Sequence, residues 1–189
     1  MLRLIAASCL LGGLLVLPLR AHAQGQTSEY GRDNVAVGFG FGFAGEDFDS
    51  DPFDFDNSGE GNIAVEWRFH PHLAVEGRFE HTFNFDANVP GSTDLRATVW
   101  ALTANGRVYI LDGQFQPFFQ LGIGVGQGEV DFKSSSDTTT NAMGRVGLGL
   151  ESYVNRNVSI GAEFAYNFGF GDLDDFNFYT FGAELKYHF

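Results

Sequence analysis

The stretch Asn177–Phe189, NFYTFGAELKYHF, decides the fold. Every second residue from Tyr179 to Phe189 is apolar, whereas the residues between them are small, polar or charged. Side chains alternate between the two faces of a strand, so this stretch predicts a β-strand with one apolar and one small or charged face. We expect it to be the strand that closes a barrel.

Seven stretches upstream show the same alternation and are predicted to be strands. They are Asn34–Ala44, Asn62–Phe69, Leu73–Phe85, Leu95–Leu111, Phe115–Gly126, Ala142–Tyr153 and Val158–Phe168. Together with the closing strand they make eight, an even number that hairpins can join throughout. The sequence therefore predicts an all-β fold, an eight-stranded antiparallel up-and-down β-barrel.

The predicted connections alternate in length. Those after the second, fourth and sixth strands have about three residues, as hairpin turns do. The longer ones are Gly45–Gly61, Asp86–Asp94, Gln127–Asn141 and Gly169–Phe176. Short turns at one end and long loops at the other are typical of a transmembrane barrel of the outer membrane, with both termini at the short-turn, periplasmic end.

Alternation alone does not say which face points outward. A soluble barrel such as a lipocalin would place the aromatic rows inside and the charges outside. The interior of an eight-stranded barrel is only just wide enough for side chains, and rows of Phe, Trp and Tyr would overfill it. We therefore expect the apolar rows to face lipid, with the glycines of the first strand making room inside for long side chains from opposite strands.

Acidic and basic residues both occur on the predicted inner face. They are Glu66, Arg68, Glu76, Arg78, Glu80, Arg107, Arg145, Glu151, Glu163, Glu184 and Lys186. Buried charges must be paired and hydrogen-bonded, or they are very costly. Two interpretations follow: an ion-pair network that plugs the barrel, or a gated pore lined by charges. The narrow lumen favours the plug, and the inner face predicts no catalytic, cofactor or metal site.

Residues 1–23 have the three parts of a secretory signal peptide. A basic start, Met1–Arg3, precedes an apolar run, Leu4–Leu19, and the cleavage motif Ala21–Ala23. The run is too short for a spanning helix, and the lipoprotein alternative at Cys9 lacks the usual upstream Leu. We expect cleavage after Ala23, which would leave residues 24–189 as one outer-membrane barrel domain without cysteine.

The charge balance is strongly acidic. The whole chain has 11 basic and 24 acidic residues, a net charge of −13. Removing Arg3 and Arg20 with the signal lowers the balance to −15. Such a surface disfavours nucleic acid as a partner.

Three motifs resemble a known family. The segments Asn105–Tyr109 (NGRVY), Pro117–Phe119 (PFF) and Gly122–Gly126 (GIGVG) resemble the outer-membrane β-barrel domain of OmpA/OmpX-type proteins. The final Leu185, Tyr187 and Phe189 resemble the signal read by the barrel-assembly machinery. The resemblance covers residues 24–189 and implies a small, monomeric porin-family protein of a Gram-negative outer membrane. It implies contact with membrane lipid and lipopolysaccharide and no shared catalytic residues or cofactor.

The acidic loop Gly45–Gly61 is a candidate cation site. It has three aspartates with the D-x-D-x-D spacing of calcium loops: Asp47, Asp49 and Asp51. Pro52 replaces the required Gly and Ser58 replaces the bidentate Glu, which excludes an EF-hand. A solvated acidic loop is favoured over loose binding of divalent cations that bridge lipopolysaccharide phosphates.

Three function classes remain in view. A lipid-modifying enzyme of the outer leaflet would need a nucleophile beside His81, but the strand has no Ser there and Ser92 is in the next loop. An OmpW-like channel for small apolar solutes is opposed by the charged inner row, and a small charge-lined pore is opposed by the narrow lumen. We expect a structural or surface-interaction role through Gly45–Gly61 and the Ser/Thr-rich Gln127–Asn141.

Overall fold

A computed structural model describes residue 30 and residues 34–46, 58–87, 95–132, 135–171 and 177–189. Within these ranges eight strands close into one antiparallel barrel, with neighbours in chain order. The strands are β1 Asn34–Glu46, β2 Ser58–His70, β3 Leu73–Ala87, β4 Leu95–Tyr109, β5 Phe115–Phe132, β6 Ser135–Asn155, β7 Val158–Gly169 and β8 Phe178–His188. The predicted up-and-down barrel is confirmed. No helix long and apolar enough to cross a membrane occurs in the described ranges.

The first and last strands form the seam of the barrel. β1 pairs antiparallel with β8, from Ala36 opposite His188 to Glu46 opposite Phe178. At the short-turn end, the Phe189 amide donates to the Val35 carbonyl at 2.9 Å. The predicted closing strand therefore closes the barrel.

The apolar rows point outward. Phe41, Phe119 and Phe181 are 73%, 56% and 58% exposed, whereas Arg107 on the other face is 1% exposed. This is the reverse of a soluble protein, and burial of the outer face requires an apolar surrounding. The prediction that the aromatic rows face outward is confirmed.

The predicted loop Gln127–Asn141 is wrong. β5 and β6 continue past the barrel body and pair from Gly126 opposite Asn141 up to Phe132 opposite Ser135. Only residues 133–134 of that segment lie outside the described ranges. The run of three threonines favours strand because β-branched residues suit extended backbone. The result is a long hairpin instead of a loop.

Other strand ends also differ from the prediction. β1 continues to Glu46 and β2 begins at Ser58, inside the predicted loop Gly45–Gly61, while β4 stops at Tyr109 instead of Leu111. The signal peptide 1–23 and Ser92 lie outside the described residues, and so do the three loop aspartates at positions 47, 49 and 51.

The short turns are held by local side-chain hydrogen bonds. Asn155 Oδ1 accepts the amides of Asn157 and Val158 at 2.8 and 2.9 Å. Asn favours this geometry because its side chain mimics a backbone turn. In the β2–β3 turn, the His72 amide donates to His70 Nδ1 at 3.2 Å.

The glycines of β1 make room for neighbouring strands. A Cβ on Gly38 would lie 2.6 Å from Glu184 Oε1, and one on Gly40 would lie 2.5 Å from Asn62 Nδ2. Glu184 is on β8 and Asn62 is on β2, the two strands that flank β1. Our expectation of room was right, but the side chains that fill it come from adjacent strands and not from opposite ones.

Candidate functional site

A charge network fills the barrel interior. All eleven charged residues that the sequence placed inside are at most 8% exposed. They are Glu66, Arg68, Glu76, Arg78, Glu80, Arg107, Arg145, Glu151, Glu163, Glu184 and Lys186. They come from six of the strands. Within a strand they are an even number of residues apart, because every second residue faces inward.

Glu163 on β7 is the centre of this network. Its Oε2 lies 2.8 Å from Arg107 Nη2 and 3.3 Å from Arg78 Nη2. Its Oε1 accepts from Arg145 Nη2 at 2.6 Å and Gln120 Nε2 at 2.8 Å. One carboxylate thus accepts hydrogen bonds from three arginines. These bonds offset part of the free-energy cost of taking four charges out of water.

Arg107 on β4 is the matching cation. Its guanidinium also contacts Glu76 Oε2 at 2.7 Å and Glu66 Oε2 at 3.2 Å. Its Nε donates to Gln120 Oε1 at 3.0 Å, and its Cζ lies 4.5 Å from the centre of the Phe118 ring. The planar guanidinium can reach several acceptors at once, which a lysine ammonium does less well.

Two contacts connect the last strand to the early strands. Lys186 Nζ lies 2.7 Å from Glu66 Oε2, and Glu184 Oε1 lies 3.3 Å from Arg78 Nη2. Lys186 also reaches Glu151 Oε2 at 3.2 Å. The network therefore holds β8 against β2 and β3 from inside the barrel.

Neutral polar side chains, to which the alternation assigned no role, complete the network. Tyr109 OH donates to Glu66 Oε2 at 2.9 Å, and Asn105 Nδ2 donates to Glu76 Oε1 at 3.3 Å. Arg68 Nη1 donates to Gln116 Oε1 at 2.6 Å. Tyr109, Asn105 and Gln116 each occupy an inward position of their strand, and this parity was the sequence signal that could have identified them.

Glu60 was assigned to the acidic loop, and that assignment is wrong. The structure places it on β2 with 4% exposure. It shares the parity of Ser58, Asn62 and Glu66, so the alternation extends four residues further than predicted, to Ser58. Ser58 of the same loop is also in β2, where its hydroxyl donates to the Phe83 carbonyl.

Apolar and aromatic side chains close both ends of the network. Towards the long connections, the cover consists of buried residues at most 2% exposed: Val99, Ala101, Met143 and Phe178. Towards the short turns, Tyr153 lies 4.8 Å from the His188 ring and 5.1 Å from the Tyr30 ring. Tyr109 packs against Phe118 at 5.6 Å on the same side.

Little free volume accompanies these side chains. A cavity beside Glu163, Lys186 and Phe118 measures about 10 Å³. Such a volume holds at most about one water molecule. The centre of the network beside Glu163 is thus packed by side chains.

A serine, a histidine and a glutamate meet near the short-turn end. Ser159 Oγ lies 2.8 Å from His188 Nε2 and donates to Glu151 Oε1 at 2.9 Å. The carboxylate contacts the same nitrogen of His188, at 3.2 Å, whereas a catalytic triad has its acid on the opposite ring nitrogen. His188 Nδ1 has no hydrogen-bond partner, and Ser159 is fully buried. The geometry is that of a buried polar contact.

The other histidines of the described residues lie outside the network. His81 is half-buried on the outer face, with its ring 5.5 Å from that of Phe83. His72 Nδ1 lies 2.9 Å from the Tyr109 carbonyl oxygen at the short-turn end. The described part of the chain contains no group of three or more His, Cys, Asp or Glu residues arranged for a metal ion.

The three C-terminal residues that resemble an assembly signal lie on the outer face. Leu185, Tyr187 and Phe189 are 54%, 50% and 74% exposed. The rings of Tyr187 and Phe189 meet edge to face at 5.0 Å. They therefore form a continuous apolar row beside the seam.

Comparisons with known proteins point to one family. Residues 9–189 match the model described as outer membrane protein beta-barrel domain. No curated protein matches the chain. The chain covers nearly the whole of several solved small barrels at low sequence identity, which shows the fold alone.

Three of these structures serve as examples. Ail, the attachment invasion locus protein of Yersinia pestis, is 20% identical with a TM-score of 0.61, over 84% of this chain and 99% of Ail. Neisserial surface protein A is 14% identical with a TM-score of 0.63, over 82% and 96%. OprG from Pseudomonas aeruginosa is 14% identical with a TM-score of 0.61, over 86% and 100%.

Proposed function

The chain belongs to the outer membrane protein beta-barrel domain family, and from that premise we propose that it is a closed outer-membrane anchor with a structural or surface-interaction role. Its barrel would hold the protein in the bilayer, and its interior would not conduct. Its long connections would carry the contacts with partners.

The packed interior is the observation that carries this proposal. Glu163 binds three arginines across the lumen, and both ends of the network are covered by buried apolar or aromatic residues. Moving an ion through this barrel would require breaking several ion pairs in a low-dielectric interior, where each costs several kcal/mol, on the order of 3–5. This argument supports the plug over the small pore and the OmpW-like channel.

The long β5–β6 hairpin supports the surface role. Its outer part, from Gln127 to Thr140, pairs beyond the last β6–β7 contact, which is Met143 opposite Gly169. A structured hairpin offers a more defined binding surface than a mobile loop because less entropy is lost on binding. Lipopolysaccharide and outer-leaflet lipid are the partners that this placement favours.

The remaining features of export and topology are part of the same proposal. Residues 1–23 would be cleaved as a signal peptide, and the short turns with both chain ends would face the periplasm. The exposed Leu185, Tyr187 and Phe189 would be read by the barrel-assembly machinery. The protein would then act as a monomer, because the closed barrel has no open strand edge to pair within the membrane.

We propose no catalytic activity. His81, the histidine favoured for an outer-leaflet enzyme, contacts an aromatic ring, and Ser159 with His188 is buried at the short-turn end. Neither arrangement puts a nucleophile and a base together where substrate could reach them. Release of fatty acid from lipid A by the purified protein would contradict this part of the proposal.

Planar-bilayer conductance of the refolded chain, residues 24–189, tests the closed anchor. Insertion is first established by resistance of the barrel to protease in the same vesicles. A silent bilayer after insertion is the expected result. Reproducible ohmic steps would overturn the closed anchor and favour the pore, and swelling of liposomes in small apolar solutes would favour the OmpW-like channel.

A further inference from the structure

Glu60 and Asn62 are neighbouring inward residues of β2, and each has an unpaired buried oxygen, as do Asn105 and Tyr153 elsewhere in the described interior. Glu60 and Asn62 lie on the inner face of β2 with 4% and 7% exposure. Glu60 Oε2 and Asn62 Oδ1 are buried and accept no hydrogen bond. A buried carboxylate oxygen without a partner is costly, so something must neutralise or coordinate it.

The two side chains lean in the same direction, over the glycines of the seam. Asn62 Oδ1 lies 2.6 Å from the position that a Cβ on Gly40 would take. Glu60 Oε1 lies 3.0 Å from the corresponding position on Gly182. In the β1–β2 register, Gly40 is opposite Asn62 and Gly42 is opposite Glu60. The absence of side chains on these glycines leaves room for both side chains on the inner face of the seam.

The cations of the network are engaged elsewhere. Arg145, which is on β6 across the lumen from β2, binds Glu80 at 2.6 Å and Glu163 at 2.6 Å. Arg78 contacts Glu76, Glu163 and Glu184. Of the seven buried glutamates in the described interior, Glu60 is the one without an ion pair at 4.0 Å or less.

The charge balance points the same way. Seven glutamates and five Arg or Lys residues are buried in the described interior, an excess of two negative charges. A single divalent cation would cancel that excess. Carboxylate and amide oxygens are the ligands that hard divalent cations such as Ca²⁺ and Mg²⁺ prefer.

We propose that Glu60 and Asn62 form a site for one divalent cation inside the barrel, at the end near the long connections. The ion would be held by one carboxylate and one amide oxygen, with water completing its shell, as Mg²⁺ and weakly held Ca²⁺ commonly are. This site is distinct from the aspartates of the preceding loop and does not depend on whether the barrel conducts.

Calorimetric titration of the refolded chain with CaCl₂ and with MgCl₂ tests the site. We expect one ion per barrel and a rise in resistance to urea unfolding with ion concentration, since an ion that binds only the folded state stabilises it. Glu60→Gln keeps the shape of the side chain and removes its charge. It should weaken binding at least about tenfold, because even indirect partners of a metal contribute that much.

Two controls locate the binding. Glu129→Gln removes an exposed carboxylate on β5, and a triple variant, Asp47→Asn with Asp49→Asn and Asp51→Asn, removes the loop charges. Neither should change the affinity. Loss of binding in the triple variant with unchanged binding in Glu60→Gln would overturn the proposal in favour of the loop.

A further variant decides the case if Glu60→Gln does not refold. Asn62→Asp adds a second carboxylate to the site and should tighten binding of the divalent ion about tenfold. Unchanged or weaker binding in this variant would overturn the proposal. So would the absence of any binding by the unmodified chain at millimolar ion, which would mean that a proton neutralises Glu60.

Discussion

Arg107 Nη2 and Glu163 Oε2 lie 2.8 Å apart across the lumen of the barrel, although 56 residues separate them in the chain. They belong to β4 and β7, which are not neighbours in the sheet. The contact therefore bridges two walls that backbone hydrogen bonds do not connect. The interior side chains therefore help to hold the barrel together.

Glu163→Gln should destabilise the barrel strongly. The change keeps the shape of the side chain but leaves Arg78, Arg107 and Arg145 without a charged partner that each contacts at 3.3 Å or less. Breaking a buried pair costs about 3–5 kcal/mol, and because each arginine keeps a second glutamate partner, the loss should lie towards the lower end of that range. Urea unfolding in lipid vesicles measures the loss. The exposed Glu129→Gln should change stability by less than about 0.5 kcal/mol, and equal effects would argue against the network.

Gly38→Ala should destabilise the barrel where Gly77→Ala does not. A Cβ on Gly38 would lie 2.6 Å from Glu184 Oε1, whereas one on Gly77 would have no heavy atom within 4 Å. Overpacking of this kind costs about 1–3 kcal/mol. The same unfolding assay compares the two variants. If both behave alike, the interior has more room than the structure shows.

Cysteine labelling should place the two ends of the barrel on opposite sides of the membrane. The proposed mature chain has no cysteine, so Lys133→Cys and Arg156→Cys each introduce a single thiol. Position 133 joins β5 to β6 and position 156 is in the short β6–β7 turn. An impermeant maleimide should label 133 in intact cells and 156 only after the outer membrane is opened. Labelling of 156 in intact cells would reverse the topology.

Phe189→Ala should impair assembly in cells without impairing the barrel itself. Phe189 is 74% exposed. Among the described residues, its ring pairs with one other aromatic ring, that of Tyr187. Its removal should therefore have little effect on refolding in detergent micelles. In cells we expect less inserted protein and more periplasmic degradation, measured as the heat-modifiable fraction on a gel. Phe170→Ala, another exposed aromatic change, is the control and should insert normally.

Alternation predicted the strands best where the two faces have different surroundings. Ile63, Val65 and Trp67 are about half exposed on the outside, while Glu66 on the inner face is buried. Outward residues must be apolar to face lipid, and inward residues are polar or small, so polarity alternates sharply along the strand. For the same reason the eleven inner charges could be named from sequence.

The pattern failed beyond the barrel body. In the outer part of the β5–β6 hairpin, Ser and Thr occupy both parities between Ser135 and Thr140. The sequence there has the composition of a loop. Glu60 was missed because Gly59 and Gly61 flank it after an acidic run, which is also typical of turns.

The partners of each charge were beyond sequence reasoning. Arg78 contacts Glu184, 106 residues away, and that choice depends on strand register, tilt and side-chain reach together. The space at Gly38 is filled from β8 for the same reason. A periodic pattern fixes a face, but it does not say which side chain of a neighbouring strand will lean across it.

The β1–β8 seam has a consequence for the order of folding. Ala36 pairs with His188, a separation of 152 residues, so the barrel can close only after the last strand has been delivered. Until then two strand edges lack partners, and lipid offers none. Such non-local closure is slow by nature. Insertion and closure must therefore be concerted, and a chain released before residue 178 is a substrate for proteolysis, not a partly built barrel.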